Sequence, residues 1–216
     1  RTNTAYDRWW EGRKKWGSLV NDTRNLAIKI ASMIDDKEHR TFFKSAIPNF
    51  VFATKEHLRN GVDFSELELS EHELSELSKK EHVPNAISQM MYSRVHQLTK
   101  DEKISQEEFL ALDKNMNALL DSLGACERIK NTPIPFSYSL FLKKFIFIYV
   151  TTIPLAFIPV FGYYSIIIAM FLFYVLVSME ILAEEIEDPF GTDDNDLPTH
   201  NLCVKIKANI VEIFRE

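Results

Sequence analysis

Seven carboxylates fall within thirteen residues, at Glu184, Glu185, Glu187, Asp188, Asp193, Asp194 and Asp196, on either side of Pro189-Phe190-Gly191. Clustered hard oxygens are the donors calcium takes, but the spacing is not that of an EF-hand, and Pro189 and Gly191 turn the chain here. Spacing alone therefore favours a solvated acidic turn. Nitrogen and sulfur donors are more dispersed. The 6 histidines (His39, His57, His72, His82, His96, His200) sit in polar segments without an H-E-x-x-H pair, and Cys126 and Cys203 are too far apart for a zinc motif. No nucleophile elbow, phosphate-binding loop or dinucleotide fingerprint occurs, so an enzyme is not expected. One further feature is Pro133-Ile134-Pro135. Flanking prolines fix the backbone and prevent helix, so Ile134 is presented on a rigid corner, or the segment is a plain connector.

The elements that must position these residues are membrane elements. From Phe145 to Met179, 35 consecutive residues contain no Asp, Glu, Lys, Arg or His. One span needs about 20 apolar residues, so this run and its apolar flanks suit two. With Pro154, Pro159 and Gly162 as the break, the reading is a transmembrane hairpin of Ser139 to Val160 and Tyr163 to Leu182, within residues 133–182. A buried soluble hairpin would need far more surrounding chain. Arg128, Lys130, Lys143 and Lys144 before the first span place both hairpin ends in the cytoplasm. Residues 183–216 then form a cytoplasmic acidic turn and C-terminal helix.

The first 34 residues hold all 3 tryptophans, Trp9, Trp10 and Trp16, among Arg1, Arg8, Arg13, Lys14, Lys15 and Arg24. Aromatic rings beside cations suit the headgroup level of a bilayer, which makes Trp9, Trp10, Trp16 and Arg13 expected interface anchors. Tyr6, Trp9, Trp16, Val20, Ala27, Ile30 and Ile34 approximate a helical stripe, so residues 1–34 read as a long helix following a span that precedes Arg1. Residues 35–132 read as cytoplasmic helices, with Gly61 ending one and a Ser105/Glu108 capping box opening another. Phe109, Leu112, Met116, Leu119, Leu123 and Cys126 form the seam of that helix. The fold class is an all-α membrane protein, a hairpin plus a cytoplasmic helical bundle. The whole-chain averages, 216 residues, charge −6 and 46% hydrophobic, exclude a disordered or disulfide-stapled chain. The acidic balance also argues against nucleic acid as a partner.

Three blocks make the sequence similar to the bacterial bestrophin homologues: R-T-N-T-A-Y-D-R-W-W-E-G-R-K-K-W-G at Arg1 to Gly17, C-E-R-I-K-N-T-P-I-P-F-S-Y at Cys126 to Tyr138, and A-E-E-I-E-D-P-F-G-T-D-D-N-D-L-P at Ala183 to Pro198. The resemblance implies a homopentameric ion channel in the cell inner membrane, multi-pass, with most of this chain cytoplasmic. Such a channel passes small inorganic ions, chloride or other anions in the family and monovalent cations such as sodium in some bacterial relatives. It implies that an N-terminal part carrying two further spans lies upstream of Arg1. Ile134 matches the residue between prolines that rings the cytosolic aperture. Asp193 and Asp196, with Glu185 and Asp188 nearby, match the calcium clasp of calcium-gated relatives. Thr192 and Asn195 stand where that pattern has acids, so the expectation here is a structural acidic turn, with no cofactor required and calcium held by Asp193 and Asp196 only if it binds at all. The alternative from a different class is a membrane-tethered helical scaffold that does not conduct.

Overall fold

The computed structural model describes residues 1–59 and 61–215. Among them are eight α-helices and no strand: α1 (Thr2–Met33), α2 (Lys37–His57), α3 (Glu71–Leu77), α4 (Val83–Lys100), α5 (Gln106–Asn131), α6 (Phe136–Phe161), α7 (Tyr164–Glu185) and α8 (Thr199–Ile213), with a 3-10 turn at Phe64–Glu66. The chain divides into two compact units. The first comprises Arg1–Glu11 and Ile129–Asp196, the second Gly12–Arg128 and Leu197–Glu216. Helices α1 and α5 each contribute residues to both.

The first unit is built on the α6–α7 pair. Both helices are long and apolar enough to cross a membrane. Their outward faces are apolar: Phe147 is 69% exposed and Tyr174 70%. In water such surface would be unfavourable, whereas lipid solvates it. The hairpin differs from the expected one in where it breaks. Pro154 and Pro159 lie inside α6, and the helix ends at Gly162, whose φ of 52° is left-handed. Gly162 N–H donates to the Ile158 carbonyl at 2.9 Å, and the Ser165 hydroxyl donates back to the Gly162 carbonyl at 2.7 Å. A positive φ costs glycine little, so this residue reverses the chain. Proline removes only one ladder bond, and membrane helices tolerate that loss. Helix α6 also begins at Phe136, three residues before Ser139, because Pro135 serves as its N-cap residue and nothing later interrupts the ladder.

The second unit has an ordinary aqueous core. Helix α2 packs on α4 and α8, burying Phe43, Ile47, Phe50, Met91, Val95, Ile206 and Ile210. Leu112, Met116, Leu119, Leu123 and Cys126 are buried along α5 as their spacing predicts. The Ser105/Glu108 capping box forms, Ser105 N–H donating to Glu108 Oε2 at 2.8 Å and Glu108 N–H to Ser105 Oγ at 3.2 Å. Helix α2 ends at His57, before Gly61, and continues past Pro48, which lies inside it. On α1 the buried line is Trp16, Leu19, Leu26, Ala27 and Ile30, continued by Ile34 just past its end; it includes two leucines outside the predicted stripe, and Tyr6 of that stripe is exposed. One charged side chain is enclosed with the core: Lys55, 2% exposed, pairs with Glu56 at 2.7 Å and with Glu66.

Both cysteines are buried thiols with no disulfide. Burial pushes the Cys203 thiol up to about 12, so it carries almost no thiolate at neutral pH. A thiol-reactive maleimide at pH 7.5 is therefore expected to leave Cys203 unmodified in the folded protein and to label it on denaturation. Intact-mass measurement reads this directly, and rapid native labelling of Cys203 would contradict its burial.

Candidate ion-pathway site

The residues that the sequence singles out around Ile134 and the acidic block all belong to the first unit, together with the start of α1. Helix α5 ends at Asn131, and residues 132–135 are non-helical before α6 starts. Ile134 sits half-buried in that corner. Its backbone N–H donates to Glu187 Oε1 at 2.7 Å. Prolines on either side carry no N–H, so this is the sole backbone donor of the tripeptide, and a carboxylate satisfies it.

Glu187 does more than cap Ile134. Its Oε2 accepts from Arg1 Nη2 at 2.8 Å, and its backbone carbonyl accepts from Arg8 Nε at 3.2 Å. Arg1, whose side chain is 6% exposed, also pairs with Glu180, which is 9% exposed on α7. Arg8 meanwhile donates Nη1 to the Thr132 carbonyl and Nη2 to the Ile129 carbonyl, where α5 runs out of N–H partners. A guanidinium fork can reach several acceptors at once, and a cation there complements the negative end of the helix. Arg1, Arg8, Glu180 and Glu187 thus lock the proline corner to the end of α7. In the sequence Glu187 is only one acid of the block, and nothing pairs it with Arg1, Arg8 or Glu180, because no motif spacing links positions about 180 residues apart.

Of the remaining acids of the block, Glu184, Glu185, Asp188 and Asp196 are bound into the chain, while Asp193 and Asp194 are exposed. Glu184 pairs with Lys143 at 2.9 Å, and Asp188 lies 4.0 Å from Lys130 while its Oδ1 accepts from Phe190 N–H at 3.2 Å. Glu185 accepts from the Asn195 side-chain amide at 2.9 Å. Asp196 Oδ2 accepts from Asp193 N–H at 2.7 Å and lies 2.6 Å from where a Cβ on residue 191 would stand, so Gly191 is the residue that fits. The side chains of Glu185, Asp188, Asp193 and Asp196 do not converge into a metal-binding group among the described residues.

The expected interface anchors separate. Trp10 and Arg13 are exposed. Trp9 is half-buried, and its indole N–H donates to the Asn195 carbonyl at 3.0 Å, which ties it to the acidic turn. Trp16 corrects the expectation. At 1% exposed it is a core residue of the second unit, because it falls on the same helical face as Leu19 and Leu26, and no headgroup reaches it.

Two bilayer-length helices joined by a tight turn, with an ion-paired corner at their base, define an all-helical membrane protein. The family model described as bacterial/fungal bestrophin protein matches residues 1–212, and the chain belongs to that family. A voltage-dependent anion channel-forming protein of Nostoc sp. is 35% identical over 99% of this chain and 72% of its own length. The protein YneE of Escherichia coli K12, also named as voltage-dependent anion channel-forming, is 29% identical over 100% of this chain and 72% of its own. Among solved structures, a mutant of the Klebsiella pneumoniae bestrophin homologue superposes with a TM-score of 0.95 at 28% identity, covering 100% of this chain and 82% of that one.

Proposed function

We propose that this chain is the subunit of a homopentameric channel that passes small inorganic anions passively across the cell inner membrane. In this reading α6 and α7 span the bilayer, both hairpin ends face the cytoplasm, and Ile134 lines the narrowest cytosolic aperture. The observation that carries the reading is the clamped corner: Pro133 and Pro135 stiffen the backbone, and Glu187 holds the Ile134 amide at 2.7 Å. Five isoleucine side chains around an axis make a hydrophobic constriction that gates by dewetting and requires ions to shed water. Anions are favoured because relatives spanning the whole chain are named anion channel-forming. The net charge of −6 argues the other way, but Glu180, Glu184, Glu187 and Asp188 are offset by Arg1, Lys143 and Lys130, which weakens the case for a cation-selecting acidic surface. No cofactor enters the mechanism.

Ile134→Ala is expected to raise single-channel conductance several-fold in reconstituted bilayers and to relax selectivity among halides, because the constriction widens and polar backbone becomes accessible. Currents identical to those of the native protein would remove Ile134 from the aperture. Reversal potentials under a chloride gradient test the sign of the ion. A stable monomer by native mass spectrometry in detergent would leave only the tethered-scaffold reading.

A further inference from the structure

The second unit contains an arrangement unrelated to the proline corner. His57 at the C-terminal end of α2, His82 at the N-cap of α4 and Glu127 near the end of α5 meet at one point. Glu127 Oε1 accepts from His57 Nε2 at 2.8 Å and from His82 Nε2 at 2.7 Å, and the two imidazole rings lie 4.3 Å apart. One ligand atom from each residue falls within 4.8 Å of the other two. The side chains are 26%, 32% and 28% exposed, so the cluster is open to solvent on one side.

We propose that His57, His82 and Glu127 form a binding site for a divalent zinc-class transition metal ion. The donor set selects the metal. Two imidazole nitrogens and one carboxylate oxygen match the ligands zinc takes with a fourth position left for water, whereas calcium and magnesium require oxygen shells. The dimensions are compatible. Tetrahedral bonds of about 2.1 Å place donor atoms about 3.4 Å apart, so the ion needs each imidazole to withdraw from the carboxylate by roughly 0.6 Å. Side chains at a half-exposed surface make such shifts without moving the helices.

The protons balance as follows. In the tautomer that donates Nε2–H to Glu127, that proton leaves Nε2 on metal binding, the Nε2 lone pair takes the ion, and Nδ1 carries the proton of the other tautomer. For His82 this has a consequence, because its Nδ1 now accepts from Asn85 N–H at 3.2 Å as the cap of α4. A protonated Nδ1 cannot accept, so the metal releases that cap, and the amide of Asn85, an exposed residue, is left to solvent. A partly exposed site with three protein ligands, formed at the loss of a cap, binds reversibly and replaces the hydrogen bonds that join α2, α4 and α5 through Glu127 with bonds to the ion.

Calorimetric titration of ZnCl2 into the EDTA-treated full chain in detergent tests the site. The expected result is one saturating zinc per subunit, no saturable binding of MgCl2 or CaCl2, and a thermal midpoint that rises with zinc. His57→Ala, His82→Asn and Glu127→Gln are each expected to weaken zinc at least about tenfold and to abolish the thermal shift at the same zinc concentration. Asn is an effective N-cap residue, so His82→Asn preserves the start of α4 while removing the ligand, and it decides the matter if His57→Ala fails to fold. No saturable zinc binding by the native chain would overturn the proposal. So would unchanged zinc affinity in the folded His82→Asn variant, which would assign binding to other histidines.

Discussion

Glu187→Ala is expected to destabilise the first unit by about 2 kcal/mol and to lower or disorganise channel current, whereas Glu187→Gln keeps most of the current. The difference follows from what each oxygen does. Oε1 accepts the Ile134 amide at 2.7 Å and Oε2 accepts Arg1 at 2.8 Å. Alanine removes both acceptors and leaves the Ile134 N–H and part of a largely buried guanidinium without partners, and removing one member of such a charged hydrogen bond typically costs about 1.5–3 kcal/mol. Partial exposure of Glu187, 15%, keeps the cost toward the lower end of that range. Glutamine retains one amide oxygen for Ile134 but turns an NH2 donor toward Arg1, which loses that acceptor along with the charge and keeps its pair with Glu180. Thermal unfolding in detergent reads the stability change, and amide hydrogen exchange at Ile134 reads the corner. The Ile134 amide should exchange much faster in the alanine variant and near the native rate in the glutamine variant. Equal protection in all three proteins would show that Glu187 does not hold the corner.

Legibility in the sequence differs from element to element. The hairpin is legible because lipid imposes a composition on it: a charge-free run of 35 residues suits a bilayer and little else. Its turn is harder to place. A proline reads as a break, although inside a bilayer-length helix it costs one bond, while the left-handed Gly162 does the reversing. Trp16 misleads for a related reason. Its neighbours Lys14 and Lys15 resemble those of an interface tryptophan, but a helix sorts residues by face, and the face of Trp16 is that of Leu19 and Leu26.

Local chemistry is easier to foresee than long-range chemistry. The Ser105/Glu108 capping box is a three-residue motif, so its spacing identifies it. Glu187 looks like one acid among seven, and its role exists only because the fold brings Arg1, Arg8 and Ile134 to it from distant parts of the chain. The histidines teach the same lesson. His57, His82 and Glu127 are separated by 25 to 70 positions, and nothing in their spacing announces the cluster that three helix ends create. Pairing at such distances is set by packing of α2 on α4 and the course of α5, which periodicity describes one helix at a time.

The second large effect is expected at Arg8, and it separates charge from geometry. Its guanidinium joins three backbone carbonyls, those of Ile129, Thr132 and Glu187, so it closes the end of α5 and attaches the proline corner to the chain beyond α7. Arg8→Ala leaves three carbonyls to be satisfied by water at a partly enclosed site and is expected to cost about 2–3 kcal/mol. Arg8→Lys restores a positive charge near the helix terminus, which is worth only about 0.3–1 kcal/mol. An ammonium is a compact point charge that cannot span acceptors set on opposite sides of a fork, so lysine should recover less than half of the loss. Thermal midpoints of the three proteins in one detergent measure this, with the order native, lysine, alanine. If lysine equals the native protein, Arg8 acts as a charge near a helix end; if alanine does, the corner is held without it, and the rigid presentation of Ile134 rests on the two prolines and Glu187 alone.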